Sequence, residues 1–357
     1  MANESTLGDW VGWPGVLGIL MGGGDLDSQQ AAAALSSILS GEATPSQIAA
    51  FCVALRVKGE TVAEMAGMRD AMMARALSVA LPLGSRIIDT CGTGGDRSGS
   101  INVSTLAAFV VAGAGAGVCK HGNRAASSVC GSADVLEALG VAIDLGPDEV
   151  AVCISEAGMG FCLAPRFHPG MRHAGPTRRE LGVPTVFNFL GPLANPAPIQ
   201  GQVVGVSDPR MAQRMLGVLQ AAGLGRAMVV YGHDGLDELT ITTTSTVFEL
   251  SDGIVRNYDV DPSDLGLAVA ERGSLRGGSV SVNAEAVRRV LDGEMGFHRD
   301  VVCLNAAAAA VVAGLAESLV EGIELAFVSI DGGAAADVLD RLVRVSQRVV
   351  STAANSG

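Results

Sequence analysis

The sequence predicts an α/β protein in which a small all-helical N-terminal domain precedes a larger domain with a mostly parallel central sheet flanked by helices. Three observations carry that prediction. Helical periodicity with capping patterns fills residues 1 to about 75, short apolar runs broken by glycine take over near residue 80, and from there strand-like and helix-like stretches alternate. A chain of 357 residues that is 48% hydrophobic can bury one large core and a smaller companion.

The elements follow in order. Thr44 is placed to cap a helix whose first residue is Pro45, which sets Ile48, Phe51, Cys52 and Leu55 on one face. Thr61 and Glu64 form a capping-box pattern ahead of Met65 and Met68. The apolar faces of these helices need a partner. Ile87 and Ile88 predict a buried strand, followed by a glycine turn, a helix over Ser104 to Ala112 and a second strand over Val118 to His121. Gln202 to Val206 and Ala227 to Tyr231 read as two more strands, separated by a helix with Asp208 as cap and Pro209 as first residue. Leu239 to Leu250 alternates over Thr, Ile and Val and reads as an edge strand or hairpin, and residues 301 to 319 and 332 to 349 read as helices. There is no internal repeat.

Composition excludes several classes. A formal net charge of -13 disfavours nucleic acid as a partner, because that binding requires a basic surface. Glu4 and Asp9 stand where a secretory signal would carry basic residues, and no apolar run is long enough to span a membrane. Seven cysteines, an odd number at 52, 91, 119, 130, 153, 162 and 303 without paired spacing, argue for free thiols and a cytoplasmic location.

The strongest chemical signal is Asp89-Thr90-Cys91-Gly92-Thr93-Gly94-Gly95-Asp96, set between a strand and a helix. Its glycines let backbone N–H groups turn inward as a nest for phosphate or pyrophosphate, although a tight structural turn uses glycine too. It lacks the Gly-Lys-Ser/Thr of a Walker loop, and Arg97 stands where a dinucleotide fingerprint has its last glycine. Asn102, Ser104 and Thr105 open the next helix, either as ordinary caps or as ligands of phosphate oxygens or a bridging Mg2+. Lys120-His121-Gly122-Asn123-Arg124, then Ser127, Ser128 and Ser132, follow the next strand. Parallel-sheet topology brings that loop to the same crevice, where its cations suit a polyanion unless it is simply a solvated basic loop. The pair Asp237-Glu238 offers carboxylate oxygens to a hard divalent cation, or is a solvated acidic loop. His168 and His173 lack zinc-ligand spacing.

Together these segments resemble the anthranilate phosphoribosyltransferases along nearly the whole chain. The resemblance rests on Gly41 to Pro45, Lys58 to Thr61, Asp89 to Asp96, Asn102 to Thr105, Lys120 to Arg124 and Ser132 to Gly140, together with Phe161 to Met171, Arg178 with Glu180-Leu181-Gly182, Phe187 to Pro196, Asp234 to Leu239 and Asn305-Ala306. It implies a fold of the nucleoside phosphorylase and phosphoribosyltransferase type, with an N-terminal helical domain over 1–75 and an α/β domain over 76–357. Hinge segments near 76–85 and 165–185 would contact the helical domain. The implied substrates are phosphoribosyl pyrophosphate (PRPP) and anthranilate, the implied cofactor Mg2+ and the implied assembly a homodimer through the helical domain.

Carried over by position, Gly92, Thr93, Gly94, Gly95, Asp96, Asn102, Ser104, Thr105, Lys120 and Ser132 would bind PRPP. Gly92, Asn123, Ala164, His168 and Arg178 would form the anthranilate site, and Ser104, Asp237 and Glu238 the metal site. Lys120, His121 and Glu238 would be the catalytic group, with His121 a candidate proton acceptor. The planar fork of Arg178 suits a carboxylate. Arg97-Ser98-Gly99-Ser100, and Met171 where some members have Tyr, depart from the usual pattern without removing a proposed ligand. Two rivals share the architecture: a pyrimidine nucleoside phosphorylase, against which Lys120 to Arg124 and Phe187 to Pro196 weigh, and a non-enzymatic nucleic-acid-binding relative, against which the acidic charge weighs.

Overall fold

The structure, a computed structural model, describes residues 10–82, 86–96, 98–125, 129–271 and 273–355. Arg97, Ser127 and Ser128, and residues 83–85 of the expected first hinge, lie outside them.

The N-terminal helices are Gly12–Met21, Ser28–Leu39, Pro45–Lys58 and Val62–Met73. Their boundaries follow from the capping chemistry. Thr44 and Gln47, and Thr61 and Glu64, each exchange side-chain and backbone hydrogen bonds in reciprocal boxes. Glu64 does more than cap: its carboxylate accepts the N–H groups of Leu26 at 2.9 Å and Thr61 at 2.8 Å and the Lys58 ammonium at 3.0 Å, tying three segments together. At Gly67 a Cβ would stand 1.9 Å from the Ser28 carbonyl oxygen, so helices Ser28–Leu39 and Val62–Met73 meet backbone to backbone there.

The larger part is built on one seven-stranded sheet: β1 (Ile87–Gly92), β2 (Gly117–Gly122), β3 (Met159–Leu163), β4 (Gly201–Gly205), β5 (Arg226–Gly232), β6 (Ser245–Ser251) and β7 (Ile254–Val260). The spatial order is β3-β2-β1-β4-β5-β6-β7, with the first five strands mutually parallel and the last two an antiparallel hairpin. Chain order runs outward from β1 to β2 and β3, then returns to its other side at β4. That reversal opens a crevice at the carboxyl ends of β1 and β4, the usual ligand position in such sheets.

Three sequence expectations need correction. The alternation over Leu239 to Leu250 becomes a strand only from Ser245, because the Thr240 and Thr242 hydroxyls bond to Asp234 at 2.8 and 2.6 Å and hold the first half in an irregular loop. The sheet edge is instead β7, reached through Asp252 and Gly253, both at positive φ. The expected helix over 301–319 is Phe297–Ala313, stopped by Gly314 in the left-handed conformation, and a new helix, Leu319–Asp331, is capped by the Ser318 side chain.

Apolar clusters lie on both faces. One unites helices Val103–Gly113 and Phe297–Ala313 with the sheet. The other joins Ile38, Phe51 and Met65 of the N-terminal helices to Phe187 and Leu190, and to Val204, Val206 and Val229 of the sheet. The partners that the N-terminal helices required are therefore helix Pro209–Ala221, between β4 and β5, and the chain between β3 and β4, which runs through helix Ala164–Phe167, a 3-10 turn at Pro169–His173 and helices Gly175–Leu181 and Val186–Leu193 before re-entering the sheet.

Candidate active site

The loops after β1, β2, β3 and β5 converge with the Pro169–Leu193 excursion on one cavity of about 610 Å3. It is lined by Gly92, Thr93, Gly94, Gly95, Asp96, Asn102, Ser104, Thr105, Lys120, His121, Asn123, Ser132, Ala164, His168, Arg178, Asp237 and Glu238, so residues spread over nearly 150 positions meet in one place.

Asp237 and Glu238 are buried at 9% and 8% exposure rather than solvated. Asp237 fits because two neighbouring strands end in glycine. A Cβ on Gly205 would stand 1.5 Å from the Asp237 carbonyl oxygen, and one on Gly92 would stand 2.6 Å from Asp237 Oδ2. The same Oδ2 accepts the Gly94 N–H at 2.7 Å, and Glu238 Oε1 accepts the Ser104 N–H at 3.1 Å. Burial, then the charge of Asp96, pushes Asp237 up to about 7, and burial with the Asp237 charge pushes Glu238 well above the carboxylate range. Two buried carboxylates in this state call for a cation. Among the described residues no group of three or more His, Cys, Asp or Glu forms a self-sufficient metal centre. The pair with the Ser104 hydroxyl instead supplies the few hard oxygens that suit Mg2+ sharing its shell with water and phosphate.

Lys120, 1% exposed, runs beneath the glycine loop and donates to the Thr90 carbonyl and to Ser104 Oγ. Burial pushes its ammonium down, against the opposing pull of Asp89, Cys91, Glu238 and Asp237. Asp89, fully buried in β1, accepts the His121 N–H and the Gln202 amide.

The glycine loop is a partial nest. Thr93 N–H bonds to the Gly205 carbonyl and Gly94 N–H to Asp237, whereas Gly95 and Asp96 N–H have no partner among the described residues. The simple capping alternative fails at the next helix. Asn102 makes no side-chain cap bond, and its Nδ2 donates to the Cys130 carbonyl. Buried side-chain polar atoms without a partner gather around this cavity: Asp96 Oδ2, Asn102 Oδ1, Thr105 Oγ1, His121 Nε2 and His168 Nδ1. Such atoms are rare in native proteins, and their grouping here marks a polar ligand site.

The cations expected of the second loop are only partly there. Arg124 is bound by Glu137 at 2.8 Å and by Asp134 at 3.3 Å, which anchors the loop to helix Ser132–Ala138. Ser132 Oγ donates to the Asn123 carbonyl, and Asn123 Oδ1 accepts the Arg124 N–H.

Arg178, which also lines the cavity, lies with its guanidinium 5.2 Å from the Phe187 ring centre and has no carboxylate partner among the described residues. Burial pushes its pKa down. Ala164 and the rings of His121 and His168, whose centres are 5.2 Å apart, also line the cavity. Burial, reinforced by the charges of His168 and Lys120, holds His121 down at about 3, and burial holds His168 at about 4, so both imidazoles are neutral at pH 7. His168 Nε2 lies 2.9 Å from the Ala194 carbonyl. Sequence reasoning missed Arg172, Arg179 and Asn188, which also line the cavity. The basic run from 172 to 179 was visible, but only the fold turns it toward the sheet.

A parallel sheet with a glycine nest and acidic pair at its switch point, facing an arginine-bearing helical layer, defines a transferase of phosphorylated sugars. The descriptions "Glycosyl transferase family, helical bundle domain" and "Glycosyl transferase family, a/b domain" match residues 15–76 and 84–336. The anthranilate phosphoribosyltransferase of Nocardioides sp. is 55% identical over 94% of this chain and 99% of its own, and that of Salinispora arenicola 52% identical over 94% and 97%. The crystal structure of the Thermus thermophilus enzyme superposes with a TM-score of 0.88 at 41% identity, covering 93% of this chain and 99% of that one. The Saccharomyces cerevisiae enzyme in complex with PRPP and Mg superposes at 0.87 with 29% identity, covering 94% and 98%. The chain belongs to the anthranilate phosphoribosyltransferase family.

Proposed function

We infer that this protein transfers the 5-phosphoribosyl group of PRPP to the amine of anthranilate, giving N-(5-phosphoribosyl)anthranilate and pyrophosphate in tryptophan biosynthesis. The observation that carries the reading is the polarity of one cavity. Its lining brings the buried Asp237–Glu238 pair, Lys120 and several unpartnered polar atoms together with the guanidinium of Arg178, which has no carboxylate partner among the described residues.

Substrate binding is assigned to the chain's own residues as follows. The free N–H groups of Gly95 and Asp96, Asn102 Oδ1, Thr105 Oγ1 and the Ser132 hydroxyl contact PRPP, with Gly92, Thr93 and Gly94 shaping the loop. Lys120 sits near the pyrophosphate and offsets its charge. Ser104, Asp237 and Glu238 would hold Mg2+, which would supply positive charge to offset that of the pyrophosphate. Arg178 takes the anthranilate carboxylate as a charge-assisted pair, and Asn123, Ala164, His168 and the Gly92 backbone enclose the ring.

Catalysis is then mostly positioning. As the C1–O bond to pyrophosphate breaks, positive charge develops on the ribose ring. The aromatic amine, already neutral, attacks C1 from the opposite face and its lone pair forms the C–N bond. The resulting arylammonium is strongly acidic, so even a weak base suffices to take its proton. Neutral His121, with Nε2 unpartnered, is such a base. The division at residues 75 and 76, with hinges near 76–85 and 165–185, lets the helical layer close on the sheet. A homodimer through the helical domain and a cytoplasmic location complete the proposal.

The test is loss of anthranilate fluorescence on mixing the purified protein with PRPP and Mg2+, with the product identified by mass spectrometry. Loss that depends on both additions supports the reading. A folded protein without turnover overturns it, and phosphate-dependent nucleoside cleavage would assign it to the phosphorylases.

A further inference from the structure

Glu238 is followed by Leu239, and both backbone polar groups of Leu239 are held by one side chain from the far side of the sheet. Asn305, 3% exposed on helix Phe297–Ala313, accepts the Leu239 N–H at Oδ1 at 3.0 Å. Its Nδ2 donates to the Leu239 carbonyl at 2.8 Å and to the Val301 carbonyl at 2.9 Å. The amide orientation is fixed by this set, since one face meets a donor and the other two acceptors. Asn305 thus acts as one rung of a sheet ladder would, on a loop that has no ladder.

We propose that Asn305 is a positioning residue for the Asp237–Glu238 pair, setting the height and direction of the two carboxylates toward a divalent cation; the proposal rests on the transferase reading of the site. A buried loop between β5 and β6 must place two like charges in a crevice, where their repulsion and desolvation push the backbone outward. Four restraints oppose that. Asp234 closes the loop by accepting the Leu236 N–H and the Thr240 and Thr242 hydroxyls. Gly94 N–H holds Asp237 from the front. Asn305 holds the Leu239 backbone from behind and ties it to core helix Phe297–Ala313, and the Ser104 N–H of helix Val103–Gly113 holds the Glu238 side chain. Nothing about Asn305 reaches the cavity, so its effect on chemistry passes entirely through the carboxylates.

The experiment compares Asn305→Ala and Asn305→Asp with the unmodified protein and with Val302→Ala, a buried truncation on the same helix that controls for lost packing. Two quantities are read. One is Mn2+ bound in the presence of PRPP, counted by electron paramagnetic resonance. The other is the Mg2+ concentration giving half-maximal transferase rate. We expect both Asn305 variants to need at least about 10-fold more metal on either readout, with partial rescue at high Mg2+ and an anthranilate KM within twofold of the unmodified protein. Val302→Ala should leave the metal requirement unchanged. Asn305→Asp keeps the shape of the side chain, so it carries the test if the alanine variant does not fold. Folded Asn305 variants with an unaltered metal requirement overturn the proposal, as does an equal shift in Val302→Ala. An unmodified protein without Mg2+-dependent transferase activity overturns the functional reading instead.

Discussion

Gly205→Ala tests the geometry of the site more severely than removal of any ligand. Gly205 ends β4 beside Gly92 of β1, with which it is in register, and the acidic loop crosses directly over both. An added Cβ would stand 1.5 Å from the Asp237 carbonyl oxygen and 2.5 Å from its carbonyl carbon, whereas ordinary contact begins near 3.4 Å. The difference, 3.4 less 1.5, means that backbone at Asp237 must retreat by close to 2 Å, since neither partner is a flexible side-chain tip. Misplacement by about 1 Å at a catalytic site can cost on the order of 100-fold, so kcat/KM for PRPP should fall by at least about 100-fold, or about 2.7 kcal/mol of transition-state stabilisation. The overpacking itself should cost about 1–3 kcal/mol of stability, which a chain of this size can absorb. The assay is steady-state transfer at varied PRPP and Mg2+, beside circular dichroism and thermal melting of the same samples. Gly18→Ala is the control: it lies in helix Gly12–Met21 with nothing within 4 Å of the new Cβ. A folded Gly205→Ala protein within threefold of the unmodified rate would refute the argument that strand-end glycines seat the acidic pair.

Further outcomes are expected elsewhere. Glu238→Gln should lower kcat/KM for PRPP by about 100-fold while leaving the anthranilate KM nearly unchanged, because it removes a proposed Mg2+ ligand and leaves Arg178 untouched; a selective rise in anthranilate KM would contradict this. Arg178→Ala should raise the anthranilate KM by about 10- to 100-fold, the worth of a charge-assisted hydrogen bond, with little effect on PRPP binding measured by calorimetry. The histidines give a pH dependence of stability. Their folded pKa values of about 3 and about 4 lie below the unfolded value near 6.5, so the unfolded chain binds more protons in that window. The contribution of the two histidines is therefore lost as pH falls from about 6.5 toward 3, opposite in sign to that of the raised Asp237 and Glu238, and His121→Asn should remove part of that loss in a melting series. Thr61→Ala should cost about 1 kcal/mol by opening the capping box that orders Glu64, read as a lower midpoint in urea with unchanged m-value.

Much of this molecule could be read without coordinates, for reasons that differ by element. Helix starts at Pro45 and Val62 were legible because capping is chemistry between residues three apart. Strands β1, β4 and β5 were legible as buried runs with paired β-branched residues, the signature of a sheet covered on both faces, and β2 from its place after a helix in the strand-helix-strand order. The Leu239 to Thr244 stretch misled because its alternation serves an Asp234-centred loop rather than a ladder, and local periodicity does not distinguish the two. β3, with the sequence Met-Gly-Phe-Cys-Leu, carries no β-branched residue and gave no strand signal.

The site divides along the same line. Each loop's chemical character, from the glycine nest to the acidic pair, is a property of neighbouring residues and was present in the sequence alone. Whether Asp237-Glu238 is a solvated turn or a buried pair was not, because burial depends on Gly92 and Gly205 some 145 and 32 residues away and on Asn305 beyond them. Arg124 likewise looked available for an anion until Glu137 and Asp134 claimed it. The sequence determined which functional groups exist and in which local conformations they can stand. Only the tertiary structure decided which of them lose water, which find a partner and which are left facing a cavity, because desolvation and pairing are set by groups distant along the chain.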